Sequence, residues 1–337
     1  MMLFSIIIPA YDAESTINRC LDSVYALPIS EDRFEVIVID DCSSDHTIEV
    51  VRAYGQVHPN LTLLVQSQNH RQGAARNRGL DVAQGDFIVY LDSDDELLSG
   101  VISAVSQSQE YNLDMVVMRY ERVSSVGYLE RDSILPYESD TIFTGITLQT
   151  DHPYLCSAPW AYIYRRSFLK SVNYPFAEDV FFEDSDFVNI HLYNSARMAY
   201  CNECGYRVWS NPLSTTHTTS FKHICDYAIL GTRMLSFYQQ IEDKCSPYAY
   251  SILEGGSYNI MCSCKNLFKL KSFSDVCSFF HRFDLFANRS ALLSYTEPAY
   301  CWNRWTRLCI KHKYCAFLFV GIVLSLNLVP LIKLIKR

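Results

Sequence analysis

The sequence predicts an α/β protein, with a mostly parallel sheet flanked by helices and a mainly helical C-terminal region. Three observations carry this expectation. The first 120 of the 337 residues alternate apolar runs with stretches of helical spacing. The runs are nearly continuous in hydrophobicity, as strands covered on both faces must be. From His217 to about Phe286 the apolar spacing is that of helices.

Each element follows from its own residues. Leu3–Ile8 is an apolar run, and Ile17, Leu21 and Val24 set a helix within Glu14–Tyr25. Phe34–Ile39 is a second run, followed by a helix over Asp45–Tyr54. Leu61–Val65 is a third, followed by a helix from about Gly73 to Ala83. Phe87–Leu91 is a fourth, and Leu113–Met118 a fifth, after a helix near Ser99–Gln109. After Tyr120 the rhythm breaks. Residues 121–160 are irregular, Ala161–Lys170 reads as a short strand and a turn, Glu183–Tyr193 as a helix, and Ala199–Trp209 as short strands. No repeat and no low-complexity linker interrupts the chain. The expected division is an α/β domain over residues 1–215, with halves at 1–120 and 121–215. A helical region over 216–300 and a basic, hydrophobic tail over 301–337 complete it.

Composition narrows the class. Hydrophobic residues make up 49% and charged residues 20%, a globular balance. The net charge of −8 argues against a nucleic-acid partner. That charge is uneven: residues 303–337 hold seven Lys or Arg and no acid, leaving 22 basic and 37 acidic residues, a balance of −15, in the rest. The opening residues have neither a positive n-region nor an apolar h-region, so no secretory signal is expected. The thirteen cysteines are then expected to be reduced. Cys201 with Cys204 and Cys262 with Cys264 allow a four-thiolate zinc site, but scattered buried thiols are the favoured reading.

Residues 314–332 are nineteen in a row without a charge. As a helix they would reach roughly 28 Å, near the roughly 30 Å of a hydrocarbon core. Lys311 and Lys313 precede them, and Lys333, Lys336 and Arg337 follow. Those flanks, with Ser325, Asn327 and Pro330, favour an interfacial or re-entrant membrane anchor over a simple span. The alternative is a C-terminal helix packed on the body.

The chemistry gathers at strand ends. Pro9-Ala10-Tyr11-Asp12 follows the first run, Asp40-Asp41 ends the second, and Asp92-Ser93-Asp94-Asp95-Glu96 ends the fourth. In a parallel sheet these lie on one edge, where open α/β folds bind ligands. The crowded carboxylates call for an offsetting charge. A divalent cation, Mn2+ or Mg2+, sharing its shell with substrate phosphates, would supply it. An EF-hand does not fit, because Leu97 stands where the loop needs glycine. The chain also lacks GxxxxGK[ST], and no GxGxxG follows a strand.

The stretches Ser5–Glu14, Val38–Asp45, Gly73–Gly79, Tyr90–Asp95, Pro159–Phe168 and Phe182–Phe187 together resemble family 2 glycosyltransferases of the GT-A fold. The resemblance covers about residues 3 to 215. It implies that Tyr11 lies against the nucleotide base and that Asp41 reads the uracil edge. Asp92 and Asp94 match a DxD pair, the first near the ribose and the second on the metal. By the same resemblance Arg76 and Asn77 lie beside the donor, and Pro9, Asp12, Glu14 and Ser93 belong to the nucleotide-sugar site. Cys42 stands where the family usually has glycine.

Inverting transfer of a sugar to an alcohol needs a base for the attacking hydroxyl, and a carboxylate with a raised pKa suits that task. The resemblance assigns it to Asp184, with Glu183 helping to hold the acceptor. The alternative is that both acids merely complement a helix N-terminus. His217 is a candidate third metal ligand or a surface residue at a helix start. Trp160 either lines the acceptor pocket or belongs to the core.

The implied function is a metal-dependent inverting transfer from a nucleotide sugar, most simply a UDP-sugar. The acceptor would be a hydroxyl of a saccharide or lipid-linked chain in bacterial surface polysaccharide synthesis. The expected location is the cytoplasmic face of the inner membrane. A sugar-nucleotidyltransferase is the alternative enzyme, but it should carry a Gly-rich basic loop after the first strand. A catalytically silent nucleotide-sugar scaffold is the alternative without chemistry; intact Asp92, Asp94 and Asp184 weigh against it.

Overall fold

The apolar runs of the first half become the centre of one nine-stranded sheet. The structure is a computed structural model that describes residues 3–124, 126–152, 157–210, 220–242, 247–267, 274–275 and 278–279. β1 (Phe4–Ala10) leads to α1 (Ile17–Tyr25), β2 (Phe34–Asp40) to α2 (Thr47–Val57), and β3 (Leu61–Val65) to α3 (Arg71–Val82). β4 (Phe87–Tyr90) and the short β5 (Glu96–Leu97) precede α4 (Gly100–Glu110). β6 (Met115–Val123), β7 (Leu129–Asp132) and α5 (Gly145–Asp151) follow. Then come β8 (Tyr162–Arg165), α6 (Arg166–Val172), α7 (Asp184–Asn194) and β9 (Met198–Trp209). α8 (Phe221–Gln240) and α9 (Pro247–Asn266) form a helical pair, in which the Ser263 hydroxyl donates to the Ile224 carbonyl at 2.7 Å.

The strand order is β3-β2-β1-β4-β8-β6-β9-β5, with β7 beside β6. β1 to β4 run parallel, β8 is antiparallel to β4 and β6, and β9 is parallel to β6. Full burial of β1, β2 and β4 explains their unbroken hydrophobicity. Each Ile or Val so buried contributes about 1.5–3 kcal/mol. The α3 helix lies close on the sheet, because a Cβ at Gly79 would come within 2.4 Å of Ile7.

Several elements differ from expectation. β7 and α5 fall within the stretch expected to be irregular, and α6 stands where a turn is expected after β8. β6 runs five residues past Met118, because its polar half pairs with β7 and β9 instead of entering the core. Residues 198–209 form a single strand, and irregular register opposite Met118–Tyr120 accounts for the broken look of its sequence.

The chain divides into two compact units, residues 1–179 with 183–213, and residues 180–182 with 214–337. Among the described residues no helix is long and apolar enough to cross a membrane. The 314–332 segment, the tail that contains it and His217 lie outside the described residues. Cys201 and Cys204 carry free thiols directed at backbone carbonyls. The side chain of Cys264 is not among those described.

Candidate active site

Backbone hydrogen bonds align the loops at the sheet edge. Asp41 N–H donates to the Ala10 carbonyl at 2.8 Å, and Leu91 N–H to that of Ile7 at 3.0 Å. Pro9 is buried in β1, whereas Tyr11 just beyond it is 51% exposed. The Asp12 carboxylate accepts from Ser44 N–H at 2.8 Å, and that of Glu14 from His46 N–H at 2.9 Å. Both acids therefore tie the loop after β1 to the loop after β2. Asp41 is buried and accepts from Gln66 Nε2 at 2.6 Å and from His70 N–H at 2.8 Å. Burial pushes its pKa up against those bonds. Cys42 next to it is exposed and left-handed, at φ 67°.

The acidic turn is held by the protein itself. Asp92 N–H donates to the Tyr206 hydroxyl at 3.1 Å, and that hydroxyl donates to Asp95 at 2.9 Å. Asp95, 4% exposed, also accepts from Trp209 N–H at 2.8 Å. Burial, with Asp92 and Asp94 beside it, pushes the Asp95 carboxyl well up. Arg19 donates to the Asp94 carbonyl and lies over the Trp209 ring at 4.4 Å. Glu96 pairs with Arg207 at 3.1 Å. Part of the acidic charge is thus already offset within the protein, at Glu96 by Arg207 and at Asp95 by the Tyr206 hydroxyl and Trp209 N–H.

Arg76 is the centre of the site. It is 2% exposed and bridges Asp92, at 2.8 Å, and Glu183. Burial opposes its charge, and the Asp92 and Glu183 carboxylates outweigh that cost and raise its pKa. Glu183 is 5% exposed, and burial pushes its carboxyl up against the pull of Arg76. In this structure Glu183 is the ion-pair partner of Arg76. Asp184, half-buried at the start of α7, is pushed up to about 7. Burial is the main cause, Glu183 and Asp92 add to it, and Arg76 opposes it.

The α3 helix builds the opposite wall. Asn77 Nδ2 donates to the Phe176 carbonyl at 3.1 Å and to Glu178 at 2.9 Å, and its oxygen accepts from Phe176 N–H at 3.0 Å. His70 meets Asp179 at 2.9 Å. A Cβ at Gly73 would lie 2.1 Å from the Ala177 carbonyl oxygen, so the segment before α7 needs glycine there. Arg76 and Asn77 thus organise the segment that delivers Asp184. Trp160 is 6% exposed, stacked on Tyr206 at 4.6 Å and edge-on to Tyr120 at 4.9 Å. Its ring serves the core.

Asp92 and Asp94 put hard oxygen donors on one turn, although Asp92 Oδ1 is engaged by Arg76. Among the described residues, no three His, Cys, Asp or Glu side chains gather to hold a metal. This donor set fits a cation that takes one or two carboxylates and completes its shell with substrate phosphates.

The family model for glycosyl transferase family 2 matches residues 5–172, which include β1 from its second residue, β2 to β4, the acidic turn and Arg76. The chain belongs to glycosyl transferase family 2. The uncharacterized glycosyltransferase EpsJ of Bacillus subtilis is 30% identical over 224 residues, covering 64% of this chain and 63% of EpsJ. Poly(ribitol-phosphate) beta-N-acetylglucosaminyltransferase TarS of Staphylococcus aureus is 30% identical over 128 residues, 38% of this chain and 22% of TarS. These matches span less than two thirds of either relative. The crystal structure of TarS residues 1–349 with UDP-GlcNAc shares the fold, at a TM-score of 0.67 and 20% identity over 97% of this chain and 92% of that one. The mannosyltransferase PcManGT of Pyrobaculum calidifontis, solved with GDP-Man and Mn2+, aligns at a TM-score of 0.53 and 14% identity, covering 96% of this chain and 87% of that one. The sheet and helices are those of a GT-A glycosyltransferase.

Proposed function

We propose that this family 2 enzyme transfers a sugar, with inversion, from a UDP-sugar to a hydroxyl of a saccharide or lipid-linked acceptor. One observation carries the reading: buried Arg76 ties Asp92 of the acidic turn to Glu183, beside an Asp184 carboxyl whose pKa is about 7. A base poised near neutrality suits deprotonation of an alcohol as it attacks. The acceptor oxygen bonds to the anomeric carbon, the bond from that carbon to the diphosphate breaks, and the hydroxyl proton passes to Asp184. UDP leaves with the bonding pair.

Tyr11 offers an open ring for the nucleotide base, and Asp41 lies on the same edge. Asp94, with Asp92 beside it, would hold Mn2+ or Mg2+, which when bound supplies positive charge to the leaving diphosphate. That TarS was solved with UDP-GlcNAc, and PcManGT with Mn2+, supports these assignments. A surface glycopolymer is the proposed product. The 314–332 segment would place the enzyme at the cytoplasmic face of the membrane. The test is UDP release from a panel of UDP-sugars, first with manganese and then with EDTA. Slow, metal-dependent hydrolysis of one donor is expected. No turnover of any UDP-sugar, with no UDP binding, overturns the assignment.

A further inference from the structure

Ten large apolar or aromatic side chains are exposed among the described residues, and four cluster at the β6–β7 hairpin. These are Val126 at 75%, Tyr128 at 76%, Leu129 at 61% and Ile134 at 61%. The tip is a hydrogen-bonded turn: Gly127, at φ 88°, donates its N–H to the Ser124 carbonyl, and Ser124 N–H donates to that of Tyr128. A cluster of this kind marks a surface that meets an apolar partner.

The same hairpin sets Arg122 directly opposite Arg131. Like charges in that register destabilise a strand pair. Neither arginine makes an ion pair among the described residues. The neighbouring carboxylates are engaged elsewhere, Asp132 by Arg119, Glu121 by Arg207, and Glu130 by the Ser210 hydroxyl. Strand alternation puts Glu121 and Asp132 on the face opposite the two arginines. It puts Arg122 on the face of Tyr120, whose ring meets Trp160, and pairs it with Val208, two residues beyond Tyr206.

We propose that the β6–β7 hairpin docks on an anionic phospholipid bilayer. Val126, Tyr128 and Leu129 enter its interface, and Arg122 and Arg131 hold headgroup phosphates. The two observations require different media a few ångströms apart, an apolar one for the tip and an anionic one for the arginines. A bilayer surface supplies both. A soluble polyanion supplies only the second. Tyr128 has the aromatic body and polar end that suit that depth. On the proposed transferase reading, docking here holds the enzyme at the surface that carries a lipid-linked acceptor.

The test uses the full chain carrying Tyr128→Trp, read against the parent chain. Vesicles of phosphatidylcholine and phosphatidylglycerol are made with and without brominated acyl chains. Quenching of the added indole by the brominated vesicles is expected. Adding Arg122→Gln and Arg131→Gln should raise the lipid concentration for half-quenching about 30-fold, equivalent to about 2 kcal/mol. A chain that sediments with the vesicles while the added indole stays unquenched overturns the proposal. So does unchanged half-quenching after both arginines are replaced. UDP release without acceptor is followed on the same variants and should match the parent. Its absence in the parent would defeat the transferase reading and leave the hairpin result standing.

Discussion

Replacing Arg76 with methionine keeps much of the side-chain volume and removes the charge between Asp92 and Glu183. The Glu183 contact is buried and the Asp92 contact partly so, with side-chain exposures of 2% for Arg76, 7% for Glu183 and 21% for Asp92. Removing one partner of such a network costs about 3–5 kcal/mol, because the remaining charges stay in a poorly solvated place. In a folded unit of this size each kcal/mol moves the thermal midpoint by about 2–4 °C, so a fall of about 10 °C is expected. The chemistry should change as well. Arg76 holds the Asp184 pKa down, so its loss moves the pH limb of UDP release to a value above 7. Displacement of α7 by about 1 Å adds a loss on the order of 100-fold in rate. Arg76→Lys should fall between, since one ammonium replaces a fork that reaches both carboxylates. The assay is thermal unfolding followed by circular dichroism, with UDP release measured between about pH 6 and 9. A methionine variant with the parent midpoint and an unmoved pH limb would falsify the role given to Arg76.

Three further outcomes follow from local geometry. Gly73→Ala should lower turnover at least about 10-fold with little change in secondary structure, because its Cβ would strike the Ala177 backbone oxygen at 2.1 Å and push residues 177–183 away; parent turnover would show that α3 does not set that segment. Asp95→Leu leaves the Tyr206 hydroxyl and Trp209 N–H without their acceptor and should cost about 2–4 kcal/mol in chemical denaturation. A smaller loss would mean that the turn holds without it. Cys42→Gly relieves a left-handed backbone at φ 67° and should stabilise the chain by up to about 1 kcal/mol, also read from denaturation.

The parallel core was legible because burial of β1, β2 and β4 on both faces leaves no room for polar residues. Tyr11, Asp41, Asp92 and Asp94 were legible for a related reason, since they follow those strands directly and the sheet brings them to one edge. What neutralises the acidic turn was not legible. Arg19 and Arg207 reach it from more than 70 residues away in sequence, and Glu183 meets Arg76 across 107 residues. No local pattern encodes such pairs. The length of β9 was hidden for a different reason: Asn202, Glu203 and Gly205 weaken its strand signal, and tertiary pairing with β6 overrides it.

The most direct measurement is the pH dependence of transfer by the parent chain and by Asp184→Asn. Because the base acts in its deprotonated form, and Asp184 loses its proton near pH 7, the parent rate should climb through about pH 7 and level off above it. The asparagine variant should bind UDP normally, lose about 100- to 10,000-fold in rate and show no such limb. A variant that retains both the rate and the limb contradicts the account, because the base would then be another group.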